Sequence, residues 1–485
     1  MKNKYKSVGI NAFLNAIRTG LSILFPLITY PYAFRILHAE NIGKVNFASS
    51  IVSYFSLLAA LGFSAYAVRE GAKIRENTTE INKFASQIFS LNIMSTLAAY
   101  LILLICIVVV PKFHNYKLLI AICSITIALK TLGMDWINTI YEDYVFITIR
   151  TIFAQLLILL LLFSTVHTES DYYKYAVLGI LADCLVCISN IFYIRKYVKI
   201  SFTFKWNIKK HFRPIMMLFA NSVATTIYVN SDTTMLGWMA GDYYVGLYAI
   251  AVKIYTVIKN MLAAIYTVTI PRISYYVGVG DDDSIKKIYS SIVSKILLIL
   301  IPCSMGMIAI SREVILFMGG QEYQDGIVTL NILSVSLVGA ILGGLVTYCL
   351  NIPTGREKIN MKATTLSAII NIILNLFMIP VFKQNGAAVT TLISEFFVFI
   401  FCCINNKDLK KYIEFKIIRN NIVHAIIGGI SILLISYLMH RILINIYLLI
   451  SSIIGLSIVC YSFELIILKN DVAITVLNKV RKRNG

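Results

Sequence analysis

Apolar positions run through this chain in blocks of about twenty residues, separated by short polar stretches. Fourteen blocks can be read, over 9–35, 43–66, 84–110, 117–138, 145–166, 174–194, 214–239, 245–270, 289–311, 328–350, 361–381, 386–404, 421–440 and 444–468. An α-helix needs about twenty apolar residues to cross a hydrocarbon layer of about 30 Å. Strands of a membrane barrel would be shorter and would alternate apolar with polar positions. The pattern predicts an all-α polytopic membrane protein with about 14 transmembrane helices.

Polar positions inside the blocks carry a second pattern. In the first block Asn11, Asn15, Arg18, Ser22 and Thr29 fall on one helical stripe, and in the seventh Asn221, Thr225, Tyr228 and Asp232 do the same. A shift of 203 residues places Arg18 on Asn221, Ser22 on Thr225, Thr29 on Asp232 and Gly43 on Gly246. The eighth block carries Lys253, Thr256, Asn260 and Thr267, with Ser50 and Ser53 as counterparts in the second. The repeat predicts two equivalent six-helix halves, 1–205 and 206–405, followed by two additional helices and a basic tail over 406–485. Single hydroxyls and amides in a membrane helix often only join it to its neighbours. Charges there cost about 2.5–3.5 kcal/mol on insertion scales and usually face water-filled space. Arg18, Lys253 and Asp232 are therefore expected to face a polar cavity enclosed by the two halves.

Composition agrees with a membrane chain. Of 485 residues 58% are hydrophobic and 14% charged, and mean hydropathy is +0.78. The net charge of +20, from 44 Lys+Arg against 24 Asp+Glu, would otherwise suggest nucleic acid. Here the basic residues sit in alternate short loops: "REGAKIRENTTEINK", "RKYVKISFTFKWNIKKHFR", "GREKINMK", "NNKDLKKYIEFKIIRN" and "NKVRKRNG". With the N-terminus in the cytoplasm, about thirty of the 44 basic residues fall on the inner side and about eight outside. An even number of spans then brings both termini to the cytoplasm. The basic start "MKNKYKSVGINAFLN" reads as a retained first helix. Topology explains the charge, and no nucleic acid is expected.

Catalytic chemistry is hard to find. The chain has no G-x-x-x-x-G-K-[ST] and no H-E-x-x-H, and its six histidines are scattered. Cys184 and Cys187 are C-x-x-C in spacing, without a nearby histidine, and read as ordinary helix residues. "GVGDDDS" at 278–284 lacks the alternating ligands of a calcium loop and reads as a solvated turn. No outer loop is long enough to fold as a domain, so an enzyme is not expected.

The chain resembles the Wzx-type O-antigen and polysaccharide flippases, in the MOP superfamily with the MATE drug exporters and lipid II flippases. "NAIRTGLSILFPLITYPYAFRIL" with "ENIGKVNFASSIVSYF" looks like their first two helices. "SDTTMLGWMAGDYYVGLYAIAVKIYTVI" with "TVTIPRISYY" looks like the seventh and eighth. "YAVREGAKIRE", "NIPTGREKIN" and "QNGAAVTTLISEFFVF" also fit. The resemblance implies two six-helix bundles around a central cavity, some members having two more helices. It implies carriage of an undecaprenyl-diphosphate-linked oligosaccharide from the inner to the outer leaflet of the bacterial cytoplasmic membrane. The expected mode is alternating access on a proton or sodium gradient, with no cofactor, in a monomer. Expected partners are membrane lipids, a polysaccharide polymerase and a chain-length regulator.

Such a substrate joins an anionic diphosphate, a hydroxylated glycan and a hydrocarbon tail. Arg18 and Lys253 would bind the diphosphate. Asn11, Asn15, Asn221, Tyr228 and Asn260 would hydrogen-bond the sugars. Asp232 and Glu395 are the ion-coupling candidates, ahead of Asp183. Lys259 and Lys295 add positive potential near the inner end or snorkel to the interface, and Lys130 and Arg150 share that ambiguity. The alternatives are a MATE-type cation/drug antiporter, which calls for a net acidic cavity, and a membrane-embedded polysaccharide polymerase or ligase, which calls for a long outer loop.

Overall fold

The computed structural model describes residues 8–204 and 208–475, excluding the side chains of 8–19, 21–24, 208–210, 212, 221 and 416. Among the described residues there is no strand. The helices are α1 (Val8–Ala60), α2 (Phe63–Ile74), α3 (Thr78–Val109), α4 (Lys117–Gly133), α5 (Trp136–Ile140), α6 (Tyr144–Thr165), α7 (Tyr172–Tyr193) and α8 (Ile208–Met239). They continue as α9 (Asp242–Val279), α10 (Asp282–Ala309), α11 (Ser311–Gly319), α12 (Gly326–Val346), α13 (Glu357–Asn405), α14 (Phe415–Ile442) and α15 (Ile446–Ile467).

Eleven helical stretches among the described residues are long and apolar enough to span a membrane. The chain is an all-α polytopic membrane protein. Two of the eleven contain a break. His38 leaves helical geometry in α1 (φ 63°, ψ 166°), and Lys383 does so in α13 (φ 51°, ψ −129°). The apolar blocks 9–35 and 43–66 lie on either side of the first break, and 361–381 and 386–404 on either side of the second. Pro380, with no N–H to donate, lies just before the α13 break. Gly386 fits just after it, where a Cβ would stand 2.4 Å from the Met378 carbonyl oxygen. The 214–239 block forms α8, which is not among the eleven; Asn230, Ser231 and Asp232 lower its apolarity.

The chain divides into two compact units, Met1–Gly246 and Leu247–Gly485. The first unit thus includes α8, which belongs to the second half of the sequence repeat. Helix α8 packs there on α1 and α2. Thr234 donates to Ser50 Oγ at 2.9 Å and to the Tyr54 hydroxyl at 3.2 Å. Gly237 lies against the Phe47 ring. Tyr66 and His211 Nδ1 are 2.7 Å apart. Lys112 Nζ donates to the carbonyls of Gly237 and Trp238, both at 2.7 Å. It thereby satisfies orphan carbonyls and complements the negative end of the α8 dipole.

The strap after α7 is held by a match of periods. Lys199, Ser201 and Thr203 donate backbone N–H groups to Asn82 Oδ1, Ser86 Oγ and Ser90 Oγ of α3 at 2.8, 3.1 and 2.9 Å. Four helical residues advance about 6 Å and two extended residues slightly more, so successive partners stay aligned.

In the second unit, small residues of α12 admit aromatic neighbours. Gly339 lies against Phe396, and Gly344 against the Tyr266 hydroxyl. Helix α14 lies on α10, with Gly429 against Met305 and Gly428 against Tyr461 of α15. Asn421 bonds to Ser294, and Asn470 donates to Asn421 at 2.6 Å. The acidic turn after α9 is structural. Asp281 caps α10 by accepting from Ser284 N–H at 3.0 Å. Asp282 bonds to Lys411 and Tyr412. Large apolar side chains such as Leu97, Leu101 and Leu104 of α3 point outward, as lipid contact requires.

Candidate functional site

Each unit carries polar chemistry within its spanning helices. In the second, Glu395 of α13 is buried, 8% exposed. Lys259 of α9 donates to its Oε1 at 2.6 Å, and the Tyr255 hydroxyl donates to the same oxygen at 3.2 Å. Tyr255 and Lys259 are one helical turn apart and therefore share a face. The sequence marked Glu395 as a coupling candidate and Lys259 as a source of positive potential; the fold joins them in one ion pair. A second buried group on α13 links Asn371, Asn375 and Thr390. Asn375 donates to Asn371 Oδ1 at 3.1 Å, and Thr390 donates to Asn375 Oδ1 at 2.6 Å.

In the first unit, Asp232 is buried at 5% exposure on α8, and Tyr228 is half-buried one turn before it. Asn11, Asn15, Arg18 and Asn221 lie outside the described side chains. In the second unit Lys253 is half-buried on α9 and Asn260 is exposed. Ser50 accepts from Thr234 and itself donates to the Phe47 carbonyl at 2.7 Å, which is a helix-joining role.

The first unit also forms two half-open cavities, of about 450 Å³ and 320 Å³, that share Ser56, Lys130 and Asp183 as lining residues. Asp135 lines the smaller and accepts from Arg150 at 2.8 Å. The Arg150 guanidinium is buried, stacks on the Phe146 ring 5.3 Å away, and among the described residues leaves Nε and Nη1 without hydrogen bonds. Nearby, Asp143 receives the Tyr193 and Tyr197 hydroxyls, each at 2.6 Å, and Lys196 at 3.1 Å. Burial and this carboxylate push the Tyr197 phenol well above its ordinary range.

The sequence reading gave Asp183 and Lys130 minor places and passed over Ser49, Ser56 and Asp135. The spacing of Ser49, Ser53 and Ser56 marks one face of a helix and could have been read. The pairing of Asp135 with Arg150, from different elements, could not. Among the described residues no group of three His, Cys, Asp or Glu side chains could hold a metal ion.

Comparison with known proteins gives a consistent picture. Residues 8–277, more than half of the chain, match the polysaccharide biosynthesis protein family, and residues 218–377 match the MatE family. A protein of Escherichia coli strain K12 named for O-antigen transport is 22% identical over 81% of this chain and 95% of its own length. The capsular polysaccharide biosynthesis protein CapF of Staphylococcus aureus is 23% identical over 74% of this chain and 89% of its own. The fold is shared with the lipid II flippase MurJ, at a TM-score of 0.77 and 17% identity over 95% of this chain and 99% of that one. A multidrug resistance MATE transporter of the MOP superfamily gives 0.57 at 14% identity, covering 80% and 99%.

Proposed function

Because the chain belongs to the polysaccharide biosynthesis protein family, we propose that it is a flippase for a lipid-linked oligosaccharide, moving it from the cytoplasmic to the outer leaflet of a bacterial cytoplasmic membrane. The observation that carries this reading is the family match over 8–277, together with a fold shared with a lipid II flippase across 95% of the chain. The substrate is an undecaprenyl-diphosphate-linked repeat unit. Arg18 and Lys253 bind the diphosphate as charge-assisted donors. Asn11, Asn15, Asn221, Tyr228 and Asn260 serve the glycan, while the tail stays in lipid.

The halves 1–205 and 206–405 work by alternating access, with 406–485 appended and both termini in the cytoplasm. A proton or sodium gradient drives the cycle. Asp232 is the first coupling candidate and Glu395, which pairs with Lys259, the second. Substrate diphosphate and Asp232 compete for the same cations. Arg18 and Lys253 against Asp232 favour an anionic cargo over the cationic drugs of a MATE exporter, and the MatE match is confined to 218–377.

The test is transport in sealed inverted vesicles holding the purified protein. Undecaprenyl-diphosphate-linked oligosaccharide is supplied outside, and its protection from an external glycan-modifying enzyme is followed. Protein-dependent protection of an unaltered glycan is expected. Elongation or transfer of the glycan would mean an enzyme, and exchange of a small cation for protons without protection would mean a drug exporter.

A further inference from the structure

Three helices of the first unit line its two cavities in the same order. On α1, Ser49 and Ser53 face the larger cavity and Ala59 and Ala60 the smaller. On α4, Cys123 and Thr126 face the larger, and Thr131 and Gly133 the smaller. On α7, the residues from Tyr175 to Ile180 serve the larger, and Val186 and Cys187 the smaller. Ser56, Lys130 and Asp183, one from each helix, line both. The cavities therefore lie end to end along the helices and meet at these three residues. From Tyr175 to Cys187 the path follows α7 for about 18 Å. That is more than half of a hydrocarbon layer of about 30 Å.

The meeting point is charged. Among the described residues neither Lys130 nor Asp183 makes a hydrogen bond or an ion pair within 4.0 Å. Lys130 is the cation whose field acts on Asp183, and Asp135 is the nearby anion. The other groups around them are Cys184 and Cys187 of α7, Asn92 of α3, and Arg150 of α6, which is held by Asp135. From α1 the waist receives Ser56 and no charge. Lys130 and Asp183 thus place one cation and one anion inside spanning helices, while the Arg150–Asp135 pair beside them adds no net charge, its Asp135 lying beyond the end of α4 with an exposed side chain. Ionisable groups so placed are expensive and mark ion or proton paths.

We propose that Asp183 is a proton-exchange site inside the first unit, opening to a cavity on each side, with Lys130 as its fixed counter-ion. Its carboxylate takes a proton from water in one cavity and returns it to water in the other. A bound proton neutralises Asp183 and leaves the Lys130 charge uncompensated. Protonation therefore changes the net charge of the helix junction by one unit. A metal cation fits poorly, because it would meet the Lys130 ammonium with a single carboxylate and hydroxyls as ligands. The role of this site in driving transport rests on the flippase reading; its chemistry does not.

Infrared difference spectroscopy of the purified full chain in lipid nanodiscs, across pH, tests the site without any glycan. A protonated-carboxyl band should be lost in Asp183→Asn and return at a changed position in Asp183→Glu. In Lys130→Ala its midpoint should move by about one pH unit or more. Identical spectra for the native chain and Asp183→Asn, or a midpoint that Lys130→Ala leaves in place, overturn the proposal. If the band behaves as expected but the native chain moves no lipid-linked glycan in vesicles, the proton site stands and the flippase reading falls. Where glycan is moved, a pH gradient should accelerate the native chain but not Asp183→Asn. A gradient response kept by Asp183→Asn removes Asp183 from coupling.

Discussion

Gly43 and Gly246 make reciprocal contacts. A Cβ on Gly43 would stand 1.8 Å from the Asp242 carbonyl oxygen, and one on Gly246 would stand 2.0 Å from that of Ala39. Asp242 follows Ala39 by 203 residues, and Gly246 follows Gly43 by the same 203. The shift that aligns the polar stripes therefore also exchanges the two sides of this contact. Neighbouring bonds hold the region, as Tyr116 donates to both Asp242 carboxylate oxygens at 2.8 and 2.7 Å.

Neither glycine tolerates a methyl group without separating two backbones. Gly43→Ala and Gly246→Ala should each lower stability by about 1–3 kcal/mol, in the range of overpacked cores. The two losses should be similar in size and less than additive when combined, since either one already separates the segments. Thermal melting in detergent measures this. Gly455→Ala, whose Cβ would meet nothing within 4 Å, serves as the control and should melt like the native chain.

The Lys259–Glu395 pair should behave as a coupled unit. Lys259→Met leaves a buried carboxylate with only the Tyr255 hydroxyl, and Glu395→Met leaves an ammonium inside the bundle. Each single change should destabilise by roughly 1–3 kcal/mol, below the usual range for buried pairs because the lysine side chain is about a third exposed. The double change to Met should recover part of the loss. A double-mutant cycle that shows simple additivity would refute the pairing.

Asp281 gives a pH-dependent helix end. The Ser284 hydroxyl and backbone N–H hold its carboxyl below the ordinary carboxylate range. A depressed folded-state value means that the cap is complete at neutral pH and is lost as pH falls through that lowered value. The protection factors of the first amides of α10, taken against intrinsic exchange at each pH, should therefore fall in acid. Asp281→Ala should show the lowered protection already at neutral pH, with no further acid effect from this site.

Transport separates the roles given to the central charges. Arg18→Ala and Lys253→Ala should reduce glycan protection in vesicles by tenfold or more. That matches a loss of about 1.5–3 kcal/mol for a charge-assisted contact, with membrane insertion unchanged. Normal transport in both would argue against a cationic diphosphate site. Asp232→Asn should change the proton or sodium dependence of transport; the same dependence as the native chain would exclude it from coupling.

The sequence by itself determined the class of fold, the blocks that become spanning helices, and the 203-residue repeat that pairs Gly43 with Gly246. These are one-dimensional properties. A segment that crosses lipid must be apolar along its whole length, whatever its neighbours are, so hydropathy records it locally. The polar stripes were legible for the same reason, because spacing alone fixes which residues share a helix face. Only the tertiary structure decided that Glu395 meets Lys259, that Asp135 meets Arg150, and that Lys130 and Asp183 line the same two cavities. It also decided that α8 packs on the first helices of the chain. Those relationships depend on the rotation and depth of each helix against its neighbours, which are set by packing among many side chains and leave no periodic trace in the sequence.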